Sequence, residues 1–332
     1  MSQAPALPWE DLEWELRGEA PARWVSRLAG ISLNRLHQHQ LVINRFATGQ
    51  QLRKLLKLAR ARGINSEWRR QWAAQSLLYS PRLRQQGPRY RRIDHPAANH
   101  WISHYRSLDR AGAAQRPGSQ RLRRHLVIGF TGNLGLLMAP IPYVLSALDA
   151  SGYDLLLVRR HSLAGYFSQN GQVLLEIEQH LRRLLQGLQA KGLETEQICS
   201  LGTSSGGLPA LVVARNLGLP LGIAIGAGAS PPLLEPGGLL DRLQPVRTTG
   251  TPQDHTTDLI LAFAAENGQD STCAELLQHY YRARQWLQVT PSPRAYPGCA
   301  AHALFIDLVA QGCTLDQALS DLLAHPPRDP GA

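Results

Sequence analysis

Cysteine is scarce and scattered in this chain: Cys199, Cys273, Cys299 and Cys313 form no C-x-x-C pair and no Cys/His ligand cluster. That spacing argues against a disulfide framework and a zinc module, and reads as reduced thiols in a cytoplasmic protein with no metal site. Long apolar runs are missing too. None approaches bilayer length, so no transmembrane segment is expected. The opening Met1-Ser2-Gln3-Ala4-Pro5 leads into acidic Glu10-Asp11-Leu12-Glu13-Trp14-Glu15 without a basic n-region or an apolar h-region, which points away from secretion. Nucleotide signatures are absent as well. Thr131-Gly132-Asn133-Leu134-Gly135 has the glycines of a phosphate loop, but there is no G-x-x-x-x-G-K-[ST] and no lysine near it. No G-x-G-x-x-G is followed by an acidic residue about 20 positions on, so no nucleotide or other cofactor is expected.

What is present is unevenly distributed. Residues 1–124 hold 23 Lys and Arg against 8 Asp and Glu, whereas residues 125–332 hold 12 against 17. The formal net charge of +10 therefore belongs to the front of the chain. An anionic partner and solvated Arg-rich helix faces produce the same asymmetry. The front of the chain reads as helical. Leu52, Leu55, Leu56 and Ala59, then Trp68, Trp72, Ala73 and Leu77, recur at helical spacing. Residues 1–80 are accordingly expected to be a small basic all-helical module. From 81 to 119 the pattern dissolves into Arg, Gln, Pro and Gly, interrupted by Trp101-Ile102-Ser103-His104-Tyr105, and reads as a linker or wrapping arm with a domain boundary near Ser119. The arm lacks the interleaved aromatics of a single-strand platform, so no specific nucleic acid is expected.

From residue 120 to 326 strands and helices alternate, the pattern of a mostly parallel sheet with helices on both faces. Strands are expected at His125–Phe130, Asp154–Val158, Gln197–Leu201, Leu221–Gly226, Thr257–Ala264 and, briefly, Trp286–Val289. Helices are expected at Pro142–Leu148, Gln172–Gln189, Cys273–Trp286, Ala300–Ala310 and Leu315–Leu323, with Ser230–Gln253 irregular.

The chemistry centres on Gly202-Thr203-Ser204-Ser205-Gly206, which lies between an apolar strand and a small-residue helix and fits G-x-S-x-G. In that strand-turn-helix the glycines let the two elements cross closely and a strained serine presents its hydroxyl at the carboxyl edge of the sheet. Ser204 is the candidate nucleophile; a register one place later would make it Ser205. A serine needs a base to take its proton and a third group to orient the base. Asp270 follows the strand at 258–264, with Glu266 as a rival acid, and His302 follows the next strand. Asp270-Ser271-Thr272 also reads as a helix N-cap, and His302 as a first-turn helix residue.

Taken with Phe130-Thr131-Gly132-Asn133 and Pro297-Gly298-Cys299-Ala300-Ala301-His302, these motifs resemble the α/β-hydrolase superfamily over residues 125 to about 324. The resemblance implies an α/β-hydrolase-like domain with Ser204 as nucleophile, His302 as base and Asp270 as orienting acid, and an oxyanion hole from the main-chain N–H groups of Ser205 and Asn133. It implies a serine hydrolase acting through an acyl-enzyme on a small-molecule or carrier-linked ester or thioester. An acyltransferase with the same triad and a non-catalytic hydrolase-fold binding protein are the rival readings. No antiparallel strand pair is evident before His125, so a shortened sheet is expected. The sequence does not set the oligomeric state.

Overall fold

In a computed structural model of the protein, the described residues are 57, 60–61, 90–93, 101–107, 125–133, 136–139, 141–150, 152–160, 162–243, 257–283 and 290–323. The chain divides into two compact units, Met1–Gln86 and Gly87–Ala332. In the first, Lys57, Arg60 and Ala61 are helical, and the remainder of the expected basic module lies outside the described residues.

The second unit is built on one sheet of eight strands: β1 (Tyr90–Ile93), β2 (Ile102–Ser107), β3 (His125–Phe130), β4 (Tyr153–Val158), β5 (Ile198–Thr203), β6 (Leu221–Ile225), β7 (Asp258–Ala264) and β8 (Thr290–Tyr296). Their order is β1-β2-β4-β3-β5-β6-β7-β8. The pairs β1/β2 and β2/β4 are antiparallel and all others are parallel. The central strands are apolar on both faces because both faces are covered. Leu126, Ile128, Phe130, Leu156 and Val158 join a cluster with Val173, Leu174, Ile177 and Leu181 of the helix α2 (Gln172–Gln189) and with Leu208 and Leu211 of α3 (Gly207–Asn216). The alternate residues Val127, Leu155 and Leu157 are buried on the other face, where α1 (Ile141–Ala150) packs on β4 and against α6 (Leu315–Leu323). The remaining longer helices are α4 (Gly268–Ala283), on β7 and β8, and α5 (Leu304–Ala310).

Several expectations need correction. The sheet is not shortened: the segment read as a linker or wrapping arm contributes β1 and β2, so the sheet begins about thirty residues before Ser119. Their signal was hidden because β2 buries polar residues, Ser103, His104 and Ser107, in place of an apolar run. A buried carboxylate helps hold it there, with Asp154 Oδ1 accepting from the Ser107 N–H at 3.0 Å. The brief strand expected at Trp286–Val289 lies outside the described residues; at the opposite edge β8 covers Thr290–Tyr296, where no strand was expected, and so includes Pro291 and Pro293, residues that argue against a central strand. An edge strand needs ladder donors toward one neighbour only, so prolines are tolerated there. The third correction concerns Asp270. Helix α4 starts at Gly268, five residues earlier than its apolar pattern suggested, which places Asp270 inside the first turn and gives the capping role to Asn267, whose Oδ1 accepts from the Asp270 N–H at 3.1 Å. Within 230–243, read as irregular, the chain makes two single-turn helices at Pro231–Leu234 and Leu239–Arg242.

This connectivity creates a crevice. From β3 the chain moves outward to β4 on one side and then returns to β5 on the other, so the carboxyl ends of β3 and β5 flank a topological switch point, where open α/β sheets bind ligands. The Thr131–Asn133 loop and the Ser204 turn lie on either side of it.

Candidate active site

Ser204 follows β5 directly and has φ +52°, a left-handed backbone that few residues other than glycine adopt. The cost is tolerated because its surroundings leave the chain no other path. A Cβ at Gly202 would run into the carbonyl of Gly206, and a Cβ at Gly206 into the carbonyls of Phe130 and Thr131. Two strands and a helix therefore cross with no room for side chains at these positions. The turn is tied down further by the Gly228 N–H donating to the Ser204 carbonyl at 3.2 Å. Ser205 is buried in the 3-10 turn that leads into α3, so its N–H belongs to the first-turn donors that have no acceptor four residues back.

His302 reaches Ser204 from the loop between β8 and α5. The loop is braced by carboxylates at both ends: Asp307 Oδ2 accepts from the N–H groups of Ala300 and Ala301 at 2.7 and 2.6 Å, and Glu266 Oε1 from that of Gly298 at 2.6 Å. Gln311 Nε2 donates to the Gly298 carbonyl at 2.8 Å, and Cys299 is fully buried beneath. The imidazole then lies between two partners. Nδ1 is 2.7 Å from Asp270 Oδ1 and Nε2 is 2.8 Å from Ser204 Oγ. A carboxylate can only accept, so Nδ1 carries the hydrogen and Nε2 offers its lone pair to the serine hydroxyl. Asp270 is 5% exposed and His302 50% exposed.

The structure thus brings together Ser204, Asp270 and His302 of the residues singled out in the sequence, with Ser205 beside them. Glu266 is placed elsewhere: its carboxylate accepts from the Gly298 N–H and makes no hydrogen bond to the imidazole. Asn133 lies in an exposed turn next to Gly132, and a Cβ on Gly132 would stand 3.0 Å from Ser204 Cβ, so this loop runs close against the Ser204 turn. The Gly132 N–H is given to the Leu136 carbonyl at 3.0 Å, which ties this loop to the segment that follows it.

Sequence reasoning missed the residues that hold this arrangement. Thr203 Oγ1 donates to the same Leu136 carbonyl at 3.1 Å, joining the two loops. Tyr166 is buried, and its hydroxyl donates to the Thr131 carbonyl at 3.0 Å; burial pushes the phenol well above its ordinary pKa, so it remains a neutral donor. Gly226, at the end of β6 with φ +53°, leaves space for the acid: a Cβ there would be 3.1 Å from Asp270 Oδ2, 3.2 Å from the His302 carbonyl and 2.8 Å from Met138 Cε. Met138 itself has φ +54° and extends its side chain toward this point. A glycine directly after a strand was the available signal for Gly226, and nothing local marked Tyr166. We expect Gly226→Ala to lower kcat about tenfold or more with little change in KM, because a displaced acid misorients the base and not the substrate. Steady-state kinetics alongside a thermal melt checks this; a pure KM effect would remove Gly226 from the positioning of Asp270.

Among the described residues no group of three or more His, Cys, Asp or Glu could hold a metal ion, and no helix is long and apolar enough to cross a membrane. The mostly parallel sheet with an antiparallel second strand, the left-handed Ser204 turn after β5, Asp270 after β7 and His302 after β8 give the α/β-hydrolase fold. No protein-family model matches the chain and no curated protein matches it. Solved structures do resemble it. A putative dienelactone hydrolase from Klebsiella pneumoniae is 14% identical, with 71% of this chain and 98% of that one covered and a TM-score of 0.45. An arylesterase is 14% identical, with 82% and 97% covered and a TM-score of 0.43. An esterase of the bacterial hormone-sensitive lipase family is 13% identical, with 92% and 97% covered and a TM-score of 0.41. Likenesses this distant carry no argument about activity, and the fold assignment rests on strand order and register.

Proposed function

We propose that this protein is a serine hydrolase that cleaves an ester or thioester through an acyl-enzyme. The observation that carries the reading is the pair of short hydrogen bonds on one imidazole, 2.7 Å to Asp270 and 2.8 Å to Ser204. In the first half-reaction Ser204 Oγ attacks the carbonyl carbon while His302 Nε2 takes the hydroxyl proton. Asp270 holds the ring in the required tautomer and stabilises the imidazolium. The tetrahedral oxyanion accepts from the N–H groups of Ser205 and Asn133. His302 returns its proton to the departing alcohol or thiol, and water, activated by the same base, then releases the acid. The half-exposed imidazole favours hydrolysis over acyl transfer, which depends on keeping water out.

Active-site labelling tests the reading. A fluorophosphonate probe should modify the folded protein once, on Ser204, because the nucleophile of such a relay attacks phosphorus as it does carbon. Peptide mapping that places no label on Ser204 would leave a non-catalytic member of the fold as the better description.

A further inference from the structure

A second feature of the carboxyl edge has no role in the triad. Arg160 lies two residues beyond the end of β4, and its main chain is locked to the loop beside the nucleophile: its N–H donates to Thr131 Oγ1 at 3.2 Å, and Thr131 Oγ1 donates to its carbonyl at 3.0 Å. Its guanidinium carbon sits 3.8 Å from the centroid of the Trp101 ring, just ahead of β2. That contact with the ring face uses none of the guanidinium's N–H donors, the groups that bind carboxylates and phosphates. Among the described residues the guanidinium has no hydrogen bond and no ion pair, and its Nε is buried without a partner. The nearby acid, Glu176, acts on it only at a distance. The neighbouring Arg159 is different: its Nη2 donates to the Tyr105 hydroxyl at 2.6 Å. A part-buried cation left unpaired is costly, and partial burial already lowers the Arg160 pKa. An oxyanion supplied by a ligand removes that cost.

We propose that Arg160 on Trp101 is an anion-binding subsite, so that the substrate is an ester or thioester bearing a carboxylate or phosphate group remote from the scissile bond. The sheet gives the distance. Trp101 flanks β2, which is three strand spacings from β5, or roughly 14 Å. Subtracting the length of an ion pair, the anion lies about 10 Å from the carbonyl held at Ser204, the length of a medium acyl chain. This inference rests on the hydrolase reading for the reaction, and its binding arm stands apart from it.

The experiment compares full-length wild type, Arg160→Gln and, as a control at a half-exposed arginine on α2 paired with Glu178, Arg182→Gln. The paired substrates are mono-p-nitrophenyl sebacate and p-nitrophenyl decanoate, equal in length and different in terminal charge. The ratio of their kcat/KM values should favour the sebacate ester in wild type, fall at least tenfold in Arg160→Gln and stay unchanged in Arg182→Gln. In the Ser204→Ala background, calorimetry with sebacate and with decyl phosphate should show binding that weakens at least tenfold when Arg160→Gln is added. Tighter sebacate binding assigns the subsite to a carboxylate, and tighter decyl phosphate binding to a phosphate. A substrate ratio and anion affinities that ignore Arg160, with only the melting temperature lowered, would overturn the proposal and make the stack a structural clamp. Loss of turnover on both esters with Arg160-dependent binding intact would count against the hydrolase reading and leave the anion subsite standing.

Discussion

Ser204→Ala should lower the turnover of a short p-nitrophenyl ester by about 10⁴-fold or more while leaving the melting temperature within a few degrees of wild type. The alanine keeps the backbone, the crossing of β5 and α3 and the flanking glycines, and removes only the atom that lies 2.8 Å from His302 Nε2. The residual rate would come from binding and from the oxyanion donors, which the substitution does not touch. Ester hydrolysis followed by absorbance, with a thermal melt on the same sample, is sufficient. Undiminished turnover in the folded variant would remove Ser204 from the chemistry, and transfer of the loss to Ser205→Ala would shift the nucleophile by one residue.

A smaller but still large loss is expected at the acid. Asp270→Asn should reduce kcat by about 10²–10⁴-fold, since an amide at this position favours the tautomer with the hydrogen on Nε2, where it can no longer accept the serine proton. Glu266→Gln should change kcat less than about threefold, because the amide oxygen can still accept from the Gly298 N–H and the residue makes no hydrogen bond to the imidazole. Measuring both variants on one substrate ranks the two carboxylates. A greater loss from Glu266→Gln than from Asp270→Asn would reverse the assignment, and small equal losses would reduce the relay to a Ser204–His302 dyad.

The reach of sequence reasoning differs from element to element for identifiable reasons. Gln172–Gln189 and Leu315–Leu323 were delimited correctly because each carries a complete amphipathic pattern that ends at recognisable boundaries. Strands β3 to β7 were legible because burial on both faces demands unbroken apolar runs. The pair β1 and β2 was not, since a strand paired on both sides in the antiparallel part of the sheet can bury serine and histidine, with Asp154 accepting from the Ser107 N–H, and so shows no apolar run. Strand β8 was hidden by its own prolines, which are read as loop until an edge position is known.

By itself the sequence determined the close-packed serine turn, the alternation that makes a parallel sheet, and the chain order of serine, acid and histidine, because each is written in neighbouring residues. Only the tertiary structure decided which carboxylate meets His302, why Gly226 must lack a side chain, how Tyr166 and Thr203 hold the loop beside Ser204, and that the Arg160 guanidinium has no hydrogen bond or ion pair among the described residues. Those facts depend on contacts between residues far apart in the chain, 98 positions in the case of Ser204 and His302. Such contacts are set by strand order and register, which no local pattern encodes.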